Sequence, residues 1–169
     1  MNAEAGGKGP GRGSGKGDAM GQEPVPTNHP RDSPGLATNS PARKEYTVVV
    51  AIRDGEAGKE FLMVEHKERG WELPGGKLEG LEGPVHCALR EFREETGHLL
   101  SSPRFVMKLR KGNGTCFVFT GGLGTAVGGD PDPSVAGYRW FHKLPRGAKL
   151  AFPDDPYAEM GAKLGIDFG

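Results

Sequence analysis

All 13 aromatic side chains of this 169-residue chain lie at or beyond Tyr46. That asymmetry decides where a core can form. Residues 1–45 carry nine glycines and six prolines, and of Val, Ile and Leu only Val25 and Leu36. A segment so short of apolar surface cannot offset the entropy of ordering itself. Residues 1–45 are therefore expected to be a disordered, solvated tail, and residues 46–169 a single folded domain. The tail lacks the apolar stretch of a secretory signal, and its acidic residues and scattered glycines fit a transit peptide poorly.

Charge narrows the partners. Lys plus Arg number 22 and Asp plus Glu number 22, for a net charge of zero. Such a balance lacks the electrostatic footprint of a general nucleic-acid or anionic-membrane binder, so neither partner is expected. The longest uninterrupted apolar run, Val48 to Ile52, is far too short to span a bilayer. Cys87 and Cys116 form no CxxC pair and have no histidine spacing suited to zinc. Free buried thiols in a soluble, cytoplasmic protein are the expectation.

Strand patterns occur at Tyr46–Arg53 and Glu60–Glu65, with turn residues Asp54–Gly58 between them and a loop at His66–Gly70. A helix is predicted from Pro84 to Thr96, with proline early, where its missing amide is harmless, and Gly97 as the stop. Val85, Ala88, Leu89 and Phe92 recur at i, i+3, i+4 and i+7 and predict its packed face. Strands at Arg104–Arg110 and Thr115–Thr120 flank the turn Lys111-Gly112-Asn113-Gly114. A glycine-rich loop over Gly121–Pro133, a strand ending at Trp140-Phe141 and a short helix from Pro156 to Leu164 complete the reading. Together these elements describe an α/β sandwich with a mixed sheet.

The first helix carries the chemistry. Glu91, Glu94 and Glu95 stand at i, i+3 and i+4, on a side expected to lie opposite the apolar stripe. On an exposed helix each like-charge pair costs about 0.2–0.5 kcal/mol, and anions in the last turn oppose the macrodipole by roughly 0.3–1 kcal/mol. Arg90 and Arg93 could screen such a patch and leave it a solvated face. The alternative is that a cation completes it. Carboxylates are hard oxygen ligands, and Mg²⁺ or Mn²⁺ are the ions they suit.

The wider spacing bears on that choice. Gly76, five residues, Glu82, seven residues and then Arg90-Glu91-Phe92-Arg93-Glu94-Glu95-Thr96-Gly97 resembles the Nudix box, the signature of the Nudix hydrolase superfamily. Over the 23 residues from Gly76 to His98, eight of nine constrained positions agree, and His98 stands where the pattern asks for an apolar residue. The resemblance implies a Nudix-type α/β/α sandwich with a mixed sheet over residues 46–169, and metal-assisted hydrolysis of a pyrophosphate bond. It implies that Glu94 and Glu95 ligate Mg²⁺ (or Mn²⁺), that Glu91 is a ligand or orients the water, and that the Gly75 carbonyl completes the shell. Glu82 would support the metal through water, and Arg90 would hold the box glutamates by charge-assisted hydrogen bonds.

Other roles stay open at this level. The general base is Glu91 or a distal carboxylate, with Asp130, Asp132, Asp154 and Asp155 as candidates. Lys77 and Arg69, with Lys67, flank the glycine-rich approach and are candidate phosphate contacts. His66, His86 and His142 show no partner pattern, and Trp71, Phe117 and Trp140 read as core. Relatives acting on ADP-ribose often carry a proline, and diadenosine polyphosphate hydrolases a tyrosine, where this chain has Asn113, Gly114, Thr115 and Cys116. The run from Glu65 to Lys77 is most similar to MutT-type nucleoside triphosphatases, including enzymes that clear oxidised guanine nucleotides. The expected activity is hydrolysis of a nucleoside triphosphate, such as 8-oxo-dGTP, to monophosphate and pyrophosphate. The alternatives are a sugar nucleotide, ADP-ribose, a capped RNA end, or a catalytically silent binding module. A homodimer is left open.

Overall fold

The computed structural model describes residues 44–111, 113–128 and 132–169. Almost all of the expected tail, and Asp130, lie outside them. The elements run β1 (Lys44–Gly55), β2 (Gly58–His66), β3 (Gly70–Glu72), β4 (Gly75–Lys77), α1 (Pro84–Thr96), β5 (His98–Lys111), β6 (Gly114–Ala126), β7 (Val135–Phe141) and α2 (Tyr157–Leu164). Among the described residues no helix is long and apolar enough to cross a membrane.

The strand order is β3-β2-β1-β6-β5, with β4 added on β1 and β7 on β2. β1 and β6 are parallel and the other pairs antiparallel, so the sheet is mixed. Along one edge β1 changes partner. Tyr46, Thr47 and Val48 pair with Lys77, Gly76 and Gly75, and Ile52 to Gly55 pair with β2. The Val49 N–H bridges the change by donating to the Pro74 carbonyl at 2.7 Å. This split carries Gly75 and Gly76 to the face under α1.

Alternation along β1 sorts the two cores, because successive side chains point to opposite faces. Val49 and Ala51, with Leu62, Val64 and Phe119, pack against Ala88 and Phe92 of α1. Val50, with Phe61, Met63 and Val118, packs against Tyr157 and Met160 of α2 and the following Ile166 and Phe168. The result is an α/β/α sandwich. Phe92 is wholly buried, and burying such a side chain contributes about 1.5–3 kcal/mol.

Three local expectations are corrected. β3 and β4 occupy a stretch read without strands, because three-residue strands carry too few residues for a pattern to show. Val85 is exposed, and the packed face of α1 is formed by Ala88, Leu89 and Phe92 with Cys87 beside them. The glycine-rich segment expected to be a loop from Gly121 continues as β6 to Ala126, paired with β5 through Ser101↔Gly122, Leu100↔Leu123 and His98↔Ala126.

Those glycines serve close approach rather than a turn. A Cβ on Gly121 would lie 2.5 Å from the Ser101 carbonyl oxygen, and one on Gly124 2.8 Å from that of Leu99. Gly121→Ala is expected to destabilise the chain by about 1–3 kcal/mol, since main chain must move to admit the methyl. Denaturant melts of the two chains would measure it.

Candidate active site

α1 begins at its Gly83 N-cap with Pro84 in the first turn and ends at Gly97, whose φ of 71° allows its N–H to reach the Arg93 carbonyl. At about 100° per residue, Glu95 sits only about 60° around the helix from Phe92. Glu95 is therefore not opposite the apolar stripe, as expected above, but beside it, and is only 6% exposed. Glu91 is next around the helix, and Glu94 is the one that faces outward.

Glu95 is the most unusual group in the site. Its Oε2 accepts the Gly75 N–H at 2.9 Å. Burial nevertheless pushes its carboxyl up to about 8, opposed by that hydrogen bond and reinforced by the nearby anions Glu91, Glu72 and Asp132. Burial likewise raises the Glu91 carboxyl, with Arg90 acting against it. Glu91 lies directly over Gly76: a Cβ there would fall 2.0 Å from Glu91 Oε1.

Arg90 stands at the centre of the acidic residues. Its Nε and Nη2 donate to Glu82 at 3.2 and 2.7 Å, its Nη1 to Glu91 Oε1 at 2.9 Å and Glu94 Oε2 at 3.1 Å, and its Nη2 also to the Lys77 carbonyl at 3.1 Å. The hydrogen bond from Arg90, with one from the Glu79 N–H, holds the Glu82 carboxyl down at about 2. Thr47 and Cys87 fill the space beneath, where burial pushes the Cys87 thiol up to about 11.

The other candidates separate by position. Asp132 is brought to the carboxyl end of α1, where its N–H donates to the Glu94 carbonyl at 2.7 Å. Hydrogen bonds from Ser134 hold its carboxyl below the usual range. Lys67 is committed to this same loop, its N–H donating to the Ser134 carbonyl and its Nζ to that of Pro133. Asp154 and Asp155 instead border a cavity of about 230 Å³ with Tyr46, Val48 and Met160, against α2 on the other face of β1.

Lys77 is exposed beside the site. Arg69 is not an unattached cation: it grips Glu72 through Nη2 at 2.6 Å and Nε at 3.1 Å. Glu72, only 3% exposed, went unnoticed in the sequence. Its signal was an acid inside the apolar run Trp71-Glu72-Leu73-Pro74. His66 is buried, its Nδ1 accepting the N–H groups of Glu68 and Arg69, while His86 and His142 are exposed. Trp71 lies in the core, and Phe117 and Trp140 are half-buried against the α1 side of the sheet.

The donor set fits a hard divalent cation. It is all oxygen, it includes a buried carboxyl short of positive charge, and Gly76 leaves room for Glu91. Oε2 of Glu91, Oε1 of Glu94 and Oε1 of Glu95 accept no hydrogen bond among the described residues. No three acidic, histidine or cysteine side chains among the described residues converge as a ready ligand set, because Arg90 draws Glu91 and Glu94 one way and the Gly75 N–H holds Glu95. Ion binding therefore requires side-chain rotation around Arg90.

Gly76→Ala is expected to keep the fold, since the methyl meets only the movable end of Glu91, but to displace that carboxylate. A loss of activity of about 10–100-fold with little change in Tm is the expected outcome, read by kinetics and thermal melts.

Residues 43–144 match the NUDIX domain. The curated relative "Putative 8-oxo-dGTP diphosphatase YtkD" of Bacillus subtilis (strain 168) is 45% identical over 49 residues, which is 29% of this chain and 31% of that protein. The chain thus aligns with under a third of that relative's length. Among solved structures, the Bacillus subtilis pyrophosphohydrolase BsRppH superposes with a TM-score of 0.59 at 24% identity, covering 76% of this chain and 85% of the other. The NUDIX domain of Shewanella oneidensis NrtR, complexed with ADP ribose, superposes with a TM-score of 0.57 at 18% identity, covering 78% and 96%. At these identities the likeness to solved structures is one of fold. With the domain matched over more than half of its length and the box set on the helix that covers the sheet, the chain belongs to the Nudix hydrolase superfamily.

Proposed function

We propose that residues 46–169 form a divalent-metal-dependent pyrophosphohydrolase that cleaves a nucleoside triphosphate, including an oxidised guanine nucleotide such as 8-oxo-dGTP, to the monophosphate and pyrophosphate. The observation that carries this reading is Glu95, a carboxyl buried beside Glu91 with Glu72 and Asp132 nearby, a setting that a divalent cation would suit once the carboxyl ionises. The relative named for 8-oxo-dGTP supports the substrate class.

Glu91, Glu94, Glu95 and the Gly75 carbonyl would hold Mg²⁺ or Mn²⁺. The bound ion supplies charge neutralisation on the phosphates and a more acidic water. In hydrolysis the water oxygen bonds to phosphorus, a P–O bond of the anhydride breaks, and pyrophosphate leaves with the electron pair. The water proton goes to a carboxylate, for which Glu91 on α1 and Asp132, whose main chain meets the end of α1, are the candidates among the described residues. Arg90 fixes the directions of Glu91 and Glu94, and Lys77 is the exposed cation available to a phosphate oxygen.

The test is turnover by the full chain with Mg²⁺, against nucleoside triphosphates, 8-oxo-dGTP, ADP-ribose and capped RNA. Monophosphate and pyrophosphate from a triphosphate are expected. Turnover of ADP-ribose or capped RNA alone would overturn the substrate reading, and no turnover with Mg²⁺ or Mn²⁺ would overturn the hydrolase reading.

A further inference from the structure

A second cavity, of about 600 Å³, lies where the carboxyl end of α2 meets β1, β5 and β6. Its walls include Lys59, Arg104 and Lys163, with Ser102, Thr120 and the apolar Ile52; none of the lining residues is acidic. The contrast with the cavity on the other side of α2, which carries Asp154, Asp155 and Glu159 against a single Arg110, is one of sign. An anion approaching this face of the sheet is repelled at one end and drawn to the other.

The cations are available. Arg104 and Lys163 make no ion pair among the described residues. Lys59 has only a 3.6 Å contact with Asp54, whose side chain is 93% exposed, a pair of the kind that water and salt readily replace. Lys163, in the last turn of α2, also offsets the negative end of that helix, which would otherwise resist an anion.

The backbone here is unusual as well. Ser101↔Gly122 and Arg104↔Thr120 bracket a bulge in which Ser102 and Pro103 oppose the single Gly121. Ser102, with φ 49°, is the one non-glycine residue with positive φ among the described residues. Ser102, Arg104, Thr120 and Gly121 all border the cavity.

We propose that this cavity binds a phosphate-bearing anion, with Arg104, Lys163 and Lys59 pairing to its oxygens and the Ser102 hydroxyl donating a hydrogen bond. The site is distinct from the box and does not depend on a metal. Its ligand comes either from free pyrophosphate or from the phosphate of a nucleotide, since both present the same oxygens.

Titration calorimetry of the full chain in EDTA tests it, because without metal the acidic box repels anions. Inorganic pyrophosphate is expected to saturate one site and to bind more weakly as salt is raised. Arg104→Glu and Lys163→Glu are each expected to weaken that binding at least about tenfold and to leave hydrolysis unchanged. Tighter binding of GMP than of pyrophosphate, through the same two residues, would identify the nucleotide as the source; the reverse order identifies free pyrophosphate. Amide shifts on the unsubstituted chain give a reading that needs no variant, with perturbation by pyrophosphate expected at Ser102, Arg104 and Lys163. No saturable binding, affinity indifferent to both substitutions, or shifts confined to other regions would overturn the proposal, whatever the hydrolysis assay shows.

Discussion

Glu95→Gln is expected to lower turnover by about 10²–10³-fold, the scale of losing one preorganised electrostatic group from an active site, while making the metal-free chain more stable. Glutamine keeps the shape and can still accept the Gly75 N–H, but it carries no charge to desolvate. The stability gain depends on pH in a defined direction. The folded-state value of Glu95, about 8, lies above the 4.5 of an ordinary glutamate. Between these values the folded chain retains a proton that the unfolded chain releases. The contribution of Glu95 is therefore fully present below 4.5 and is lost as pH rises through 8. Thermal melts in EDTA should show the unsubstituted chain losing stability across that window and Glu95→Gln lacking this component. At pH 8 the variant should melt higher by about 2–8 °C, which corresponds to a gain on the order of 1 kcal/mol. Glu94→Gln separates charge from burial: Glu94 is 41% exposed and paired with Arg90, so turnover should be abolished with little change in stability. A marked loss of metal-free stability in Glu95→Gln would show the carboxylate to be structural.

Arg90→Ala should have the second large effect, and of the opposite sign in stability. One guanidinium joins Glu82, Glu91, Glu94 and the Lys77 carbonyl. Its removal leaves three half-screened carboxylates facing one another. A stability loss of about 1–3 kcal/mol in the absence of metal is expected, in the range for hydrogen bonds to charged groups. Activity should fall about 10–100-fold, as it does when residues that orient ligands are removed. Arg90→Lys should restore little, because an ammonium cannot reproduce a planar fork with five donors. Added Mg²⁺ should recover more stability in Arg90→Ala than in the unsubstituted chain. Melts with and without the ion would show it.

Much of this was legible in the residues themselves, and the boundary is instructive. α1 could be read to the residue because both its ends carry chemical punctuation, Pro84 at the start and a left-handed Gly97 at the stop. The carboxylates were visible because Glu91, Glu94 and Glu95 work against like-charge repulsion and the macrodipole together. Their separation into a buried and an outward member was not, since it depends on which side of α1 meets the sheet. Glycine misled at Gly121–Gly124, where it lets β5 approach and does not form a turn. The Arg69–Glu72 pair was not legible for a related reason: Glu72 is buried by a fold that periodicity in so short a strand cannot announce. The choice among distal aspartates was tertiary too. Asp132 reaches α1 through the Glu94 carbonyl, whereas Asp154 and Asp155 sit across β1.

Calorimetric titration of Mg²⁺ and Mn²⁺ into the full chain, repeated with Glu95→Gln, bears most directly on whether a cation is what reconciles these acids with their shared helix. The unsubstituted chain should bind the ion and, near pH 7, release protons as it does so, because a carboxyl that titrates at about 8 must ionise to ligate. Glu95→Gln should lose both the affinity and the proton release. Equal binding by the two chains, or no binding by either, would contradict the assignment.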